Sequence, residues 1–207
     1  MPFHVVTLGL VGVLLSSPRP AVFQPADSPI QCEFRVFEGD QEVTSETTLK
    51  IYPSGKRDGG STLDPAERLR IALPAGLYDV QAVRARQGKV ISIRWAERLV
   101  VMHYPDEAGF HLEAINFTPG YGALQLRPAI GAAGDMTMLE ARAAKAGARG
   151  EDVGKTVRGD KYLLLVLPAG TYDVQLRAKD SKDGEWIAGI EVPADSTRLK
   201  TVPLPKR

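Results

Sequence analysis

The chain carries one cysteine, Cys32, in 207 residues. A single thiol rules out an intrachain disulfide and any thiolate metal cluster. Histidine is scarce as well: there are three, and none lies beyond His111. The second half therefore lacks the commonest acid–base residue. Net charge is nearly zero, with Lys+Arg 26 against Asp+Glu 25, and the basic residues are scattered. That is not the electrostatic footprint of a nucleic-acid binder. No apolar run is long enough to span a bilayer, the longest being Val5–Leu15. There is no Gly-x-Ser-x-Gly elbow, no His-Glu-x-x-His, and no Ser and His in a triad context. The expectation is a chain without catalytic residues, cofactor, resident metal or membrane span.

What the chain does have is an internal repeat. Leu73-Pro74-Ala75-Gly76-Leu77-Tyr78-Asp79-Val80-Gln81 returns as Leu167-Pro168-Ala169-Gly170-Thr171-Tyr172-Asp173-Val174-Gln175, with only Leu77 and Thr171 differing. Such self-similarity decides the architecture before anything else does. The repeat continues as Trp95, Leu99, Val101 against Trp186, Ile190, Val192, and as His111–Phe117 against Arg198–Leu204 in polarity. Upstream, Thr48–Ile51 lines up with Met138–Ala141. The units run over 30–118 and 120–207, joined by the turn-rich Thr118-Pro119-Gly120-Tyr121-Gly122.

Alternation marks the elements as strands. Leu69, Ile71 and Leu73 alternate with Arg70 and Ala72, and Tyr78, Val80 and Ala82 with Asp79 and Gln81. Ile91, Ile93 and Trp95 alternate in the same way, so parity places Trp95 and Trp186 on the buried faces. The Ala-rich stretch Met138–Ala148 reads as a strand entering a long loop, with a short helix as the alternative. Pro and Gly in Leu-Pro-Ala-Gly suit a tight turn between antiparallel partners. Short strands at regular spacing predict an all-β chain of two tandem Ig-like or prealbumin-like antiparallel β-sandwiches.

The N-terminus reads as an export signal over 1–21, built on the apolar run and a Ser-Ser-Pro-Arg-Pro-Ala stretch. The mature chain is expected to begin between about Ala21 and Ser28. A buried first strand or a misassigned start codon is the alternative.

Each candidate site has a competing structural explanation. His103 and His111, with Asp106, Glu107 and Glu113 nearby, are the residues an enzyme or metal site would use, but their spacing fits no standard ligand pattern. Asp79 and Asp173 read as solvated strand charges. Gly150–Thr156 resembles a phosphate loop but has three residues between its glycines, not four. Arg158-Gly159-Asp160 spells an integrin tripeptide of common residues. Tyr52, Tyr104, Phe110 and Tyr121 are the candidate aromatics for glycan stacking. In Tyr162–Leu167 the repeat assigns Leu163, Leu165 and Leu167 to the core. Tyr162, Leu164 and Val166 then form an apolar outer face, an interaction surface for the first unit, the 142–160 loop or a partner.

The run Leu-Pro-Ala-Gly-Thr-Tyr-Asp-Val-Gln-Leu, followed by a polar hairpin, Trp186, Ile190-x-Val192 and Pro193-Ala194-Asp195-Ser196-Thr197, resembles the carboxypeptidase-regulatory-like domain. PEGA-type and other prealbumin-like modules of bacterial envelope proteins share that pattern. The resemblance covers the second half of each unit and implies a fold, with no catalytic residues to carry over. It implies an exported protein-interaction or structural module, periplasmic or extracellular, whose partner is an envelope protein or a glycan. A carbohydrate-binding module is the alternative function, and an enzyme using His103 and His111 a further one.

Overall fold

The structure is a computed structural model that describes residues 28–103, 110–128, 139–178 and 184–203. The proposed signal segment, Tyr104, Asp106 and Glu107 lie outside the described residues, as does the side chain of Phe110. Among the described residues fifteen strands follow one another: β1 (Ile30–Glu38), β2 (Gln41–Glu42), β3 (Thr47–Pro53), β4 (Ser61–Leu63), β5 (Leu69–Leu73), β6 (Gly76–Arg86), β7 (Lys89–Val101) and β8 (Phe110–Asn116), then β9 (Tyr121–Pro128), β10 (Leu139–Lys145), β11 (Lys155–Arg158), β12 (Leu163–Pro168), β13 (Gly170–Ala178), β14 (Gly184–Val192) and β15 (Thr197–Val202). Among the described residues the only helical element is a 3-10 turn at Thr44–Glu46. The Ala-rich stretch is strand β10, as its alternation requires.

The strands form two sandwiches. In the first, an inner sheet of β8, β1, β5 and β2 faces an outer sheet ordered β4-β3-β6-β7. In the second, an inner sheet ordered β11-β12-β9-β15 faces an outer sheet ordered β10-β13-β14. Pairing is antiparallel except where the first and last strands of each unit meet, β1 with β8 and β9 with β15, which run parallel. Each unit has its own apolar core. Phe34, Val36, Leu49, Ile51, Leu69 and Val80 fill the first, and Leu124, Leu126, Leu163, Leu165, Val174 and Ile190 the second.

The repeated nine residues form a corner, which corrects the hairpin expected from the sequence. β5 pairs with β1, whereas β6 pairs with β3 and β7, so the two strands flanking Pro74 belong to opposite sheets. Proline ends the strand because it cannot donate to a ladder. The tyrosine then latches the corner: Tyr78 Oη donates to the Pro74 carbonyl at 2.9 Å and Tyr172 Oη to the Pro168 carbonyl at 2.7 Å. This explains why Leu-Pro-Ala-Gly-x-Tyr is retained in both units while the loops differ.

A second correction concerns the tryptophans. Tyr78 pairs with Leu99 and Val80 with Ala96, so Glu97 and Arg98 together oppose Asp79. In the second unit Tyr172 pairs with Ile190 and Val174 with Ile187, leaving Ala188 and Gly189 opposite Asp173. Each is a β-bulge, with Arg98 (φ 57°) and Gly189 (φ 69°) in the left-handed region. One extra residue shifts the alternation, so Ala96 and Ile187 pack on the cores and Trp95 and Trp186 sit half-buried outside them. Ile93, read as core, is exposed for the same reason, and Ile91, also read as core, is the exposed extra residue of a second bulge, between the Arg84–Ser92 and Ala85–Val90 pairs.

The repeats also differ in one strand. β4 extends the outer sheet through β3, but β11 joins the inner sheet through β12. Gly154, at φ 73°, enters β11 so close to β12 that a Cβ there would lie 2.1 Å from a Leu167 methyl carbon. Register also moves the upstream alignment by two positions: Ile51 pairs with Val80 and Ala143 with Val174, so Ile51 corresponds to Ala143.

Candidate functional site

Both bulges are held by a buried aspartate, contrary to the reading of Asp79 and Asp173 as solvated charges. Asp79 is buried and accepts four hydrogen bonds, from the Arg98 amide at 2.9 Å and from Ser54 Oγ, the Gly55 amide and the Arg57 guanidinium at 3.0 Å each. The backbone amides of Arg98 and Gly55 hold its carboxyl below the usual carboxylate range. Asp173 accepts from Arg149 Nε at 2.7 Å and the Gly189 amide at 3.1 Å, and Arg149 chiefly lowers its carboxyl. The same arginines cover the tryptophans. Arg57 lies 4.0 Å from the Trp95 ring centre, and Arg149 and Arg142 lie 5.2 and 5.6 Å from that of Trp186. Tyr52 stands beside Trp95 at 6.0 Å between ring centres. Each unit thus carries one Asp–Arg–Trp cluster that clamps a loop onto its outer sheet.

The second constellation lies between the units. Tyr162, Leu164 and Val166 are fully buried, together with Ala123 and Val157, against Phe37 and Leu112 of the first unit. Tyr121 and Ala114 line the edge of this contact. The two inner sheets therefore meet through their backs. In the middle is Glu33, with no exposed surface. It accepts from Tyr162 Oη at 2.6 Å and from Arg70 at 2.7 Å, and Arg35 lies 3.5 Å away. Burial, and then the bond to Glu33, pushes the Tyr162 phenol upward. Asp160 pairs with Arg68 and Arg70, the Ala114 amide donates to Thr197 Oγ1 at 2.8 Å, and Arg94 pairs with Asp195 at 2.6 Å. Sequence reasoning singled out Tyr162, Leu164 and Val166 but passed over Glu33, Arg35 and Phe37. The one available signal was Phe37, an apolar residue on the charged phase of β1.

The remaining candidates are dispersed. Among the described residues no group of three or more His, Cys, Asp or Glu is arranged to hold a metal. His103 Nε2 is 3.1 Å from the Ser28 carbonyl, and His111 Nε2 is 3.0 Å from Glu113 Oε1 in the buried interior of the first unit. Cys32 is buried beside them in that core, and burial pushes its thiol up to about 12. Tyr52 belongs to the Trp95 cluster and Tyr121 to the contact between units, so they form no common platform. The integrin-like tripeptide is engaged internally. Arg158 donates to the Leu139 carbonyl, Asp160 binds arginines of the first unit, and a Cβ on Gly159 would meet the Tyr162 ring at 2.2 Å. Of the phosphate-loop look-alike, Lys155 and Thr156 form part of β11.

Fold and clusters together define a paired β-sandwich scaffold. No protein-family model matches the chain. No curated protein matches it either. Among solved structures it is similar to the Bacillus anthracis TIE protein, with 18% identity and a TM-score of 0.31 over 86% of this chain and 34% of that one. It is similar to the minor pilin GBS52 of Streptococcus agalactiae, with 10% identity and a TM-score of 0.29, over 86% of this chain and 98% of that one. The tip fimbrial protein Mfa3 of Porphyromonas gingivalis aligns at 8% identity and a TM-score of 0.28, over 80% and 81% of the two chains. The chain thus spans about a third of the TIE protein's length. No functional residue is carried over from any of these.

Proposed function

We propose that this chain is a non-catalytic, exported interaction or structural module of the bacterial cell envelope. In this reading a signal over 1–21 precedes two sandwich domains, 30–118 and 120–207, of carboxypeptidase-regulatory-like or PEGA-type character. The observation that carries it is where the buried charge goes. Asp79 and Asp173 clamp loops, and Glu33 ties the units together. Each buried acid is engaged by donors of the scaffold itself, where an active site would aim such groups into a cleft. The back-to-back contact sets two outer sheets at a fixed separation, which suits a spacer that presents surfaces. No helix among the described residues is long and apolar enough to cross a membrane.

Fractionation of the native host, with N-terminal sequencing of the recovered chain, tests the export. A chain in the envelope or medium that begins between about Ala21 and Ser28 is expected. Intact Met1 in the cytosol refutes it. Broad hydrolase panels test the rest: turnover abolished by one point substitution refutes the non-catalytic reading.

The glycan-binding alternative gains one observation, the half-exposed position of Trp95 and Trp186. Against it, Arg57 already occupies a face of Trp95, so a sugar must displace that guanidinium. Glycan-array binding lost in Trp95→Ala would favour this alternative, and blank arrays end it.

A further inference from the structure

The chain enters the first unit at the start of β1 and leaves it at the end of β8, and these two strands are hydrogen-bonded to each other in parallel. It enters the second at the start of β9 and leaves it at the end of β15, again a parallel pair. Parallel pairing is slightly less stable per residue than antiparallel pairing, so stability alone does not select it. Its distinction is mechanical. Entry and exit lie at opposite ends of a parallel pair, so tension along the chain slides one strand against the other and loads the whole ladder at once. Tension on the open end of an antiparallel hairpin parts the bonds one at a time. Both parallel ladders are also unbroken, from Gln31 opposite Phe110 to Phe37 opposite Asn116, and from Ala123 opposite Thr197 to Pro128 opposite Val202. The bulges fall elsewhere, in the antiparallel β6–β7 and β13–β14 pairs.

The contact between units is loaded in the other way, because β1 and β9 run in opposed directions across it. The end of β1 lies by the start of β9, where a Cβ on Gly39 would come 3.9 Å from the Tyr121 ring. The start of β1 lies by the end of β9: Glu33 accepts from Tyr162 Oη, and Tyr162 adjoins Leu163, the partner of Leu126. The joint between the units is therefore at one end of the contact, and Ile30 and Val202 are both at the other. Tension on those two residues swings the units apart about the joint. It parts first the Glu33–Tyr162 bond and the pairs of Asp160 with Arg68 and Arg70. We propose that the chain is a tension-bearing link with two stages. It opens at low force by peeling of the back-to-back contact, and then holds because its parallel end strands clamp each unit in shear. This rests on the structural reading above, since only a module held at both ends meets tension.

Pulling the purified full chain by its two ends in optical tweezers tests it. Ile30 and Val202 should first part by about 60 Å, two strand lengths, with both units intact. At several-fold higher force two ruptures should follow, each lengthening the chain by roughly 250–300 Å. Tyr162→Phe should lower the opening force and leave both ruptures unchanged, because it removes a bond of the contact alone. In Arg127→Cys/Thr201→Cys the new cysteines are direct partners across β9 and β15, within reach of a disulfide, and the native Cys32 is buried. Oxidation should abolish one of the two ruptures and reduction should restore it. Ruptures at forces no higher than the opening overturn the clamp, as does a disulfide that fails to form or a rupture that oxidation leaves in place. A chain that lengthens in one cooperative step, or an opening force indifferent to Tyr162→Phe, overturns the first stage. These forces are read on the purified chain. A cytosolic location would therefore refute the envelope reading and leave them unchanged, and weak ruptures would refute the clamp and leave export untouched.

Discussion

Leu164 separates the two kinds of core in this molecule. It is fully buried, as is Leu165 beside it, yet the two point in opposite directions. Leu165 faces the interior of the second sandwich, and Leu164 faces the first unit. Truncation to alanine removes about three methylene equivalents at either site, or ~2.4 kcal/mol at ~0.8 kcal/mol each. A cavity term follows, and its size depends on how far the surroundings can close. Around Leu165 the cavity walls are hydrogen-bonded strands of two sheets that cannot approach without breaking the corner at Tyr172. Around Leu164 the walls are the backs of two separate units, which can slide together. Leu165→Ala should therefore cost about 3–5 kcal/mol and Leu164→Ala about 2–3 kcal/mol.

Urea denaturation combined with hydrogen exchange distinguishes them. Leu164→Ala should lower the stability of both units, because each is supported by the shared contact, and the loss of protection should extend to β1 and β8. Leu165→Ala should lower the second unit first. A Leu164→Ala chain within about 0.5 kcal/mol of wild type would mean that the contact between units contributes almost nothing. Loss of protection confined to β12 and its neighbours would mean that Leu164 belongs to the second core alone.

Three further outcomes are expected. Trp95→Ala should cost about 1–2 kcal/mol by urea denaturation, against the roughly 3–5 kcal/mol of a core ring, because it loses a half-buried surface and one cation–π contact. Stability should fall with pH through the acid carboxylate range: Asp79 and Asp173 have folded values below the unfolded one, so their contribution is present above about pH 4 and is lost as they protonate. Asp79→Asn should flatten part of that slope, and an unchanged slope would remove Asp79 from the account. Cys32, with its thiol pushed up to about 12, should resist alkylation in the native chain at pH 8 and react fully in denaturant, as followed by mass spectrometry.

Periodicity of two was enough to find the repeated strands and the inner face of β12, because burial on one side of a regular strand leaves that signature, but it passed over β9 and over β11, which lies in the stretch 142–160 expected to be a loop. It failed at Trp95 and Trp186 for a definite reason. A bulge adds one residue to one strand and leaves no hydrophobic mark, so alternation counted across Glu97–Arg98 arrives on the wrong face. The available signal was the aspartate. Asp79 and Asp173 interrupt an apolar run in both units, and a charge repeated at the same place in two buried strands has a partner to serve. The corner was misread because Pro-x-Gly punctuates a change of sheet as well as a hairpin. Only the tyrosine two residues beyond the glycine, bonded back to the proline carbonyl, distinguishes them.

The contact between units was half legible, and the missing half explains why two copies of one fold had to diverge. On the second unit the back of the inner sheet is apolar, a departure from alternation that Tyr162, Leu164 and Val166 display openly. On the first unit the same surface carries Glu33, Arg35 and Arg70, which read as an ordinary wet face. Two apolar backs would bind each other in several registers, and two charged backs would not bind at all. One of each, with Glu33 seated under Tyr162 Oη and Arg70, leaves a single arrangement in which the buried carboxylate is satisfied. The sheet switch of β11 belongs to the same adaptation. By joining β12 rather than β10 it brings Val157 to the contact, widening the apolar back of the second unit where the first unit keeps its short β4 on the outer sheet. The divergence in the loop-rich part of the repeat is thus a consequence of packing one unit on the other, while the corner and the bulge, which serve each sandwich alone, remain the same in both.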